Sequence, residues 1–182
     1  DITDNDILNT SVSGAAIRVN NADGNPQTIS VNIENNELLL TGDGTGIDIG
    51  ALDNGRSGED TQITISDNSI EGDEVGSVTG IEAGASDDGS DSDTTIDITD
   101  NDIVDLNADT SAIGIDLDAL DDDTDDNGDE TLTLTVSGNS LDANSQHIKY
   151  TGNDITPDGE TFSQDNTFDT FVFGTANTDD SL

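Results

Sequence analysis

Five times in this 182-residue chain an asparagine stands inside the same short frame, apolar-x-x-Asn-x-apolar. The frames occupy residues 2–7, 33–38, 65–70, 98–103 and 136–141, and their asparagines are Asn5, Asn36, Asn68, Asn101 and Asn139. Successive asparagines lie 31, 32, 33 and 38 residues apart. Self-similarity at a period of roughly 20–50 residues marks a stacked-repeat architecture, in which one unit cannot bury its own apolar face.

Ahead of each later asparagine, apolar residues alternate with polar ones: Ile29, Val31, Ile33; Ile63, Ile65; Ile96, Ile98; Leu132, Leu134, Val136. A period of two, rich in β-branched residues, is the pattern of a half-buried strand. A further strand follows each asparagine, read as Ile17-Arg18-Val19, Ile47-Asp48-Ile49, Ile81-Glu82-Ala83, Ile115-Asp116-Leu117 and Ile148-Lys149-Tyr150. In three of these a glycine (Gly46, Gly80, Gly114) directly precedes the isoleucine. Asp-Gly or Asn-Gly loops then close the units, and they lengthen along the chain as insertions do at one vertex of a solenoid. Stacked units share a continuous core, and about six inward aliphatics per turn at roughly 1.5–3 kcal/mol each are enough to hold it. The asparagines predict a ladder, because an amide both donates and accepts and so bonds to its own image one turn away.

These residues resemble the right-handed parallel β-helix of pectate-lyase-like and bacterial surface proteins, with its asparagine ladder after an I-x-I-x-x-N strand. The resemblance implies an all-β, single-stranded right-handed parallel β-helix (β-solenoid) of about five coils over residues 1–155. Residues 156–182 are then a C-terminal cap or an inter-subunit donor segment. Such an architecture serves lyases, glycosidases, tailspikes and adhesins alike, so it specifies shape rather than chemistry.

Composition narrows the chemistry. Asp and Glu number 42 against three Lys and Arg, a net charge of −39. That charge repels nucleic acid and anionic membrane surfaces. No segment approaches the roughly 18 apolar residues of a membrane span, and without Cys there are no disulfides. Aromatics at 3% would suit a disordered chain, but the acids are mostly Asp, a turn and metal residue, and the Ile spacing is regular. The chain begins at Asp1 without a signal peptide, which reads as a processed mature protein or a piece of a longer one. Acidity, absent Cys and Asp-rich loops together predict an extracellular or cell-surface bacterial protein in a calcium-containing medium.

Three constellations are candidates for function. The centre of the later strand is Arg18, Asp48, Glu82, Asp116 and Lys149 in successive units, so two cations flank three stacked carboxylates. Like charges on neighbouring strands repel, and these acids require water, cations or a ligand between them. If the chain is an enzyme, Asp48, Glu82 and Asp116 are its acid and base, spaced as in glycosidases. A lyase is disfavoured, because the basic residues Arg18, Arg56 and Lys149 lie on different coils. The only histidine, His147, reads as a strand-edge residue.

The second constellation is the loop from Asp121 to Glu130. Asp123, Asp125, Asn127 and Asp129, with Gly128, match the first half of a calcium loop, although Leu134 stands where the closing Glu belongs. Asp87, Asp91 and Asp93 form a weaker version one coil earlier. Ca2+ is the one cofactor these residues suggest.

The third is the C-terminal segment, which holds all four phenylalanines: Phe162, Phe168, Phe171 and Phe173. Its run Asp169-Thr170-Phe171-Val172-Phe173 resembles D-x-F-V-F segments of large calcium-dependent secreted proteins. It reads either as a cap over the last coil or as a segment donated to a neighbouring molecule in head-to-tail self-assembly. Outward residues ahead of the ladder (Asn32, Thr64, Asp97, Thr135) are too mixed for an ice-binding rank. The expected role is therefore a non-enzymatic structural or adhesive module, with a glycan or surface ligand as partner and a glycan-active enzyme as the alternative.

Overall fold

The computed structural model describes residues 1–9, 14–19, 29–50, 61–72, 75–84, 86–87, 93–122, 131–143, 145–152, 166–168 and 173–175. Their strands form three sheets, and every pairing within them is parallel. The chain is a parallel β-helix, an all-β solenoid of about five full coils. Parallel crossovers of this kind are right-handed in almost every protein, because twisted strands pack back onto a sheet only that way.

The first face stacks Ile2–Thr3, Ile29–Glu34, Thr61–Ser66, Asp93–Thr99 and Thr131–Ser137. The second stacks Asp6–Asn9, Glu37–Leu40, Ser69–Gly72, Asp102–Leu106, Ser140–Ala143 and Thr167–Phe168. The third stacks Ala15–Val19, Gly44–Ile49, Val75–Ala83, Ala108–Asp122, Gln146–Gly152 and Phe173–Thr175. The sequence pattern distinguished two strands per coil; the structure has three. The middle strand is short, and in Glu37–Leu40 three successive leucines mask the alternation.

Register explains why the repeats look alike. Ile2, Ile33, Ile65, Ile98 and Val136 are mutual partners along the first face. Ile7, Leu38, Ile70, Ile103 and Leu141 follow on the second. Ile17, Ile47, Ile81, Ile115 and Ile148 follow on the third. Three aliphatic rungs thus point at one axis, and from Ile33 to Ile115 nearly all of them are fully buried. A one-residue slip would turn a whole rung outward, so burial fixes the register.

The corner between the first and second faces has a fixed backbone requirement. Asp4, Asn35, Asp67, Asp100 and Gly138 immediately precede the ladder asparagines, with φ of 58°, 55°, 55°, 57° and 70°. Left-handed backbone costs an ordinary residue roughly 1–2 kcal/mol, and Gly, Asn and Asp are the types that tolerate it. The corner therefore reads [Asp/Asn/Gly]-Asn in the sequence.

The same dipeptide recurs at Asp165-Asn166. Asn166 is buried, and Thr167–Phe168 and Phe173–Thr175 extend the second and third faces as part of a sixth coil. Phe168 pairs in register with Leu141, and Phe173 with Ile148. Phe162 and Phe171 lie outside the described residues.

Candidate functional site

The ladder is continuous through six amides. Each Nδ2 donates to the Oδ1 of the next coil: Asn5 to Asn36 at 2.9 Å, Asn36 to Asn68 at 2.9 Å, and Asn68 to Asn101 at 3.0 Å. It continues from Asn101 to Asn139 at 2.9 Å and from Asn139 to Asn166 at 2.8 Å. Each of those Oδ1 atoms also accepts the backbone N–H of the preceding asparagine, as Asn68 does from Asn36 at 3.0 Å. The same Nδ2 groups reach back to main-chain carbonyls one coil earlier: Asn68 to Ile33, Asn101 to Ile65, Asn139 to Ile98. Buried polar atoms are costly unless bonded, and here each amide satisfies two neighbours. Asn166 was missed in the sequence because Ser163 occupies the apolar position of its frame. The Asp165-Asn166 dipeptide was the sequence signal that could have found it.

The charged column exists as read. Arg18 pairs in register with Asp48, Asp48 with Glu82, Glu82 with Asp116, and Asp116 with Lys149. The inward apolar residues on either side force these residues onto the outer surface of the third face. Both flanking cations are engaged. Arg18 Nη2 lies 2.6 Å and Nε 2.7 Å from Asp48 Oδ2, and Lys149 Nζ lies 2.7 Å from Asp116 Oδ2. Between them Glu82 accepts a hydrogen bond from Thr45 Oγ1 at 3.3 Å.

Arg18 and Lys149 are four strand spacings apart, about 19 Å, so the two cannot converge on one substrate group. The two cations differ in depth, with Arg18 50% and Lys149 27% exposed, whereas their carboxylates Asp48 and Asp116 are similarly covered at 14% and 10%. Lys149→Ala is expected to cost about 1–2 kcal/mol against about 0–1 kcal/mol for Arg18→Ala, because water screens the more exposed guanidinium more strongly than the less exposed ammonium. Urea midpoints at low and high salt check this, and equal losses would refute it.

Asp43 contributes a contact that no repeat announced. Its Oδ1 accepts the backbone N–H groups of Gly76 at 2.6 Å and Ser77 at 3.1 Å, clamping the corner between the second and third faces across coils. His147 is a buried residue of the strand Gln146–Gly152.

The calcium candidates Asp123, Asp125, Asn127 and Asp129, and also Asp91, lie outside the described residues. Asp87 and Asp93 belong to strands, with Asp87 in register with Asp122. Among the described residues no group of three or more His, Cys, Asp or Glu is arranged to hold a metal ion. No helix there is long and apolar enough to cross a membrane. No protein-family model, curated protein or solved structure matches this chain, which leaves its own geometry as the guide to what it does.

Proposed function

We propose that the chain is an extracellular structural or adhesive β-solenoid module, either a subunit of a head-to-tail filament or a section of a long bacterial surface protein. Calcium screens its acidic loops. The observation that carries this reading is the direction of the ladder. All five rung-to-rung amide bonds run the same way, from Nδ2 of one coil to Oδ1 of the next. A coil placed ahead of Asn5, from the same chain or another copy, would donate to Asn5 Oδ1 and stack on Ile2 and Ile7, which are only half-buried. Heterologous contacts of this kind extend into filaments when the rotation does not close. Electron microscopy of the purified chain with calcium is expected to show filaments that lengthen with concentration. Chelation is expected to shorten them and to lower the melting temperature by several degrees, since the ion binds the folded form. Monomers at every concentration would refute the assembly.

One feature favours a second reading, a glycan-active enzyme. Carboxylates of adjacent coils stand about 5 Å apart and those of alternate coils about 9–10 Å apart, near glycosidase separations. The two ion pairs weigh against it, because acids held by Arg18 and Lys149 are committed to stacking. Wild type and the triple variant Asp48→Asn, Glu82→Gln, Asp116→Asn are both expected to leave acidic and neutral polysaccharides intact. Hydrolysis by the wild type that disappears in the triple variant would replace the structural reading.

A further inference from the structure

Among the described residues, the two ends of the solenoid match column by column. The partial sixth coil repeats the corner of the coils before it. Asn166 Oδ1 accepts from Asn139 Nδ2 at 2.8 Å, and the N–H of Thr167 donates to the Asn139 carbonyl at 2.8 Å. Asn166 Nδ2 reaches back to the Val136 carbonyl at 2.9 Å, as Asn139 reaches Ile98. On the second face one outward column reads Asp6, Glu37, Ser69, Asp102, Ser140, Thr167. On the third the charged column continues past Lys149 to Gly174. Each column thus begins on a charged residue, Asp6 or Arg18, and ends on an uncharged one, Thr167 or Gly174.

We propose that the sixth coil seats on the first coil of a second copy of this chain, with Thr167 opposite Asp6 and Gly174 opposite Arg18. This contact rests on the assembly reading above and gives it a molecular form. Charge selects both the occupant and the coil. Like charges on neighbouring strands repel, and with the fifth coil as the seat Lys149 would face Arg18 about 4.8 Å away. Gly174 doubles that separation and adds no charge. Thr167 meets Asp6 with a hydroxyl, which can donate to the carboxylate. The main chain continues in the same sense. The residue after each ladder asparagine donates its N–H to the asparagine carbonyl one coil earlier, as Glu37 does to Asn5 and Ser69 to Asn36. Asp6 of the second copy takes that role toward Asn166, so the contact joins unlike ends only and repeats without closing.

The chain has no cysteine, so mixed single-cysteine variants read the contact directly. Asp6→Cys mixed with Thr167→Cys, with calcium and copper phenanthroline as oxidant, is expected to give disulfide-linked pairs, since adjacent strands lie within the Cα range of a disulfide. Asp6→Cys mixed with Ser140→Cys, one coil farther away, is expected to give at least tenfold fewer. Adding Gly174→Lys to the Thr167→Cys chain is expected to lower linking at least tenfold. Gly174→Asp, which sets an acid between Lys149 and the incoming Arg18, is expected to raise it at least threefold. Against Asp6→Cys copies that also carry Arg18→Glu the order is expected to reverse, which a sixth coil merely damaged by a side chain could not do. Filaments without links between positions 6 and 167, or links whose yield ignores the charges at 18 and 174, would overturn this contact alone. Linked pairs that never grow into filaments would keep the contact and remove the open-ended filament. Absence of both would overturn the contact together with the assembly.

Discussion

Replacing Asn68 with alanine is expected to destabilise the protein by about 3–5 kcal/mol, because several buried polar groups lose partners together and a void remains. Asn68 Oδ1 accepts the main-chain N–H of Asn36 at 3.0 Å and its side-chain amide at 2.9 Å. Asn68 Nδ2 donates to Asn101 Oδ1 and to the carbonyl of Ile33, each at 3.0 Å. Alanine removes all four bonds at a residue that is 1% exposed. Asn5→Ala is expected to cost about 1 kcal/mol or less, since Asn5 is exposed and bonds on one side only.

Aspartate at position 68 should be worse than alanine at neutral pH. It sets a charged oxygen against Asn101 Oδ1 and the Ile33 carbonyl, two acceptors. Burial would raise the folded-state pKa of that acid above its unfolded value, so the variant would bind more protons when folded. Its stability should therefore rise as pH falls toward the carboxylate range and drop again as pH increases. Urea denaturation of the wild type and three variants across pH measures all of this. Equal midpoints for Asn5→Ala and Asn68→Ala would refute the cooperative ladder. Because coils contact only their neighbours, hydrogen exchange should show the loss concentrated in the coils carrying Asn36, Asn68 and Asn101.

Gly80→Ala is expected to cost about 2–3 kcal/mol for the opposite reason, too much matter rather than too little. A Cβ at Gly80 would lie 2.6 Å from the carbonyl oxygen of Gly114 and 2.8 Å from Ile103 Cγ2. The first obstacle is backbone of the next coil and the second is a fully buried rung, so neither can yield cheaply. Gly46 and Gly114 are in the same position, each with a main-chain oxygen 2.6 Å away. At Gly76 the obstacle is the Asp43 carboxylate, whose Oδ1 is 2.9 Å from the site. That side chain can rotate, so Gly76→Ala should cost about 1 kcal/mol, the worth of the hydrogen bonds Asp43 gives up. Calorimetric melting of the two variants separates them. A Gly80→Ala protein as stable as wild type would mean that the coils are spaced more loosely than their register requires.

The repeat explains which features were legible in advance. The ladder, the aliphatic rungs and the order of the charged column follow from spacing, because coils of nearly equal length bring equivalent positions together. Asn166 escaped since Ser163 breaks the apolar frame, yet the Asp-Asn pair that marks other ladder positions also stands in the sequence at Asp165-Asn166. The middle strand escaped because a four-residue strand barely completes two alternations, and Leu39 faces outward where a polar residue would have marked the pattern. Asp43 was illegible for another reason. Its partners are main-chain N–H groups, which every sequence has, so nothing in the residue types of Gly76 and Ser77 announces the bond.

Sequence alone pointed to a stack of repeated units, since strands with one apolar side recurring every 31–38 residues can bury that side against their own copies. It also determined which side chains line the axis and which acids share one column. Tertiary structure decided the number of strands per coil and the engagement of Arg18 with Asp48 and Lys149 with Asp116. It also set the spacing that excludes a side chain at Gly80. The difference is one of range: periodicity records which positions meet, whereas the atoms that touch depend on side-chain rotamers and corner geometry fixed only when the coils pack.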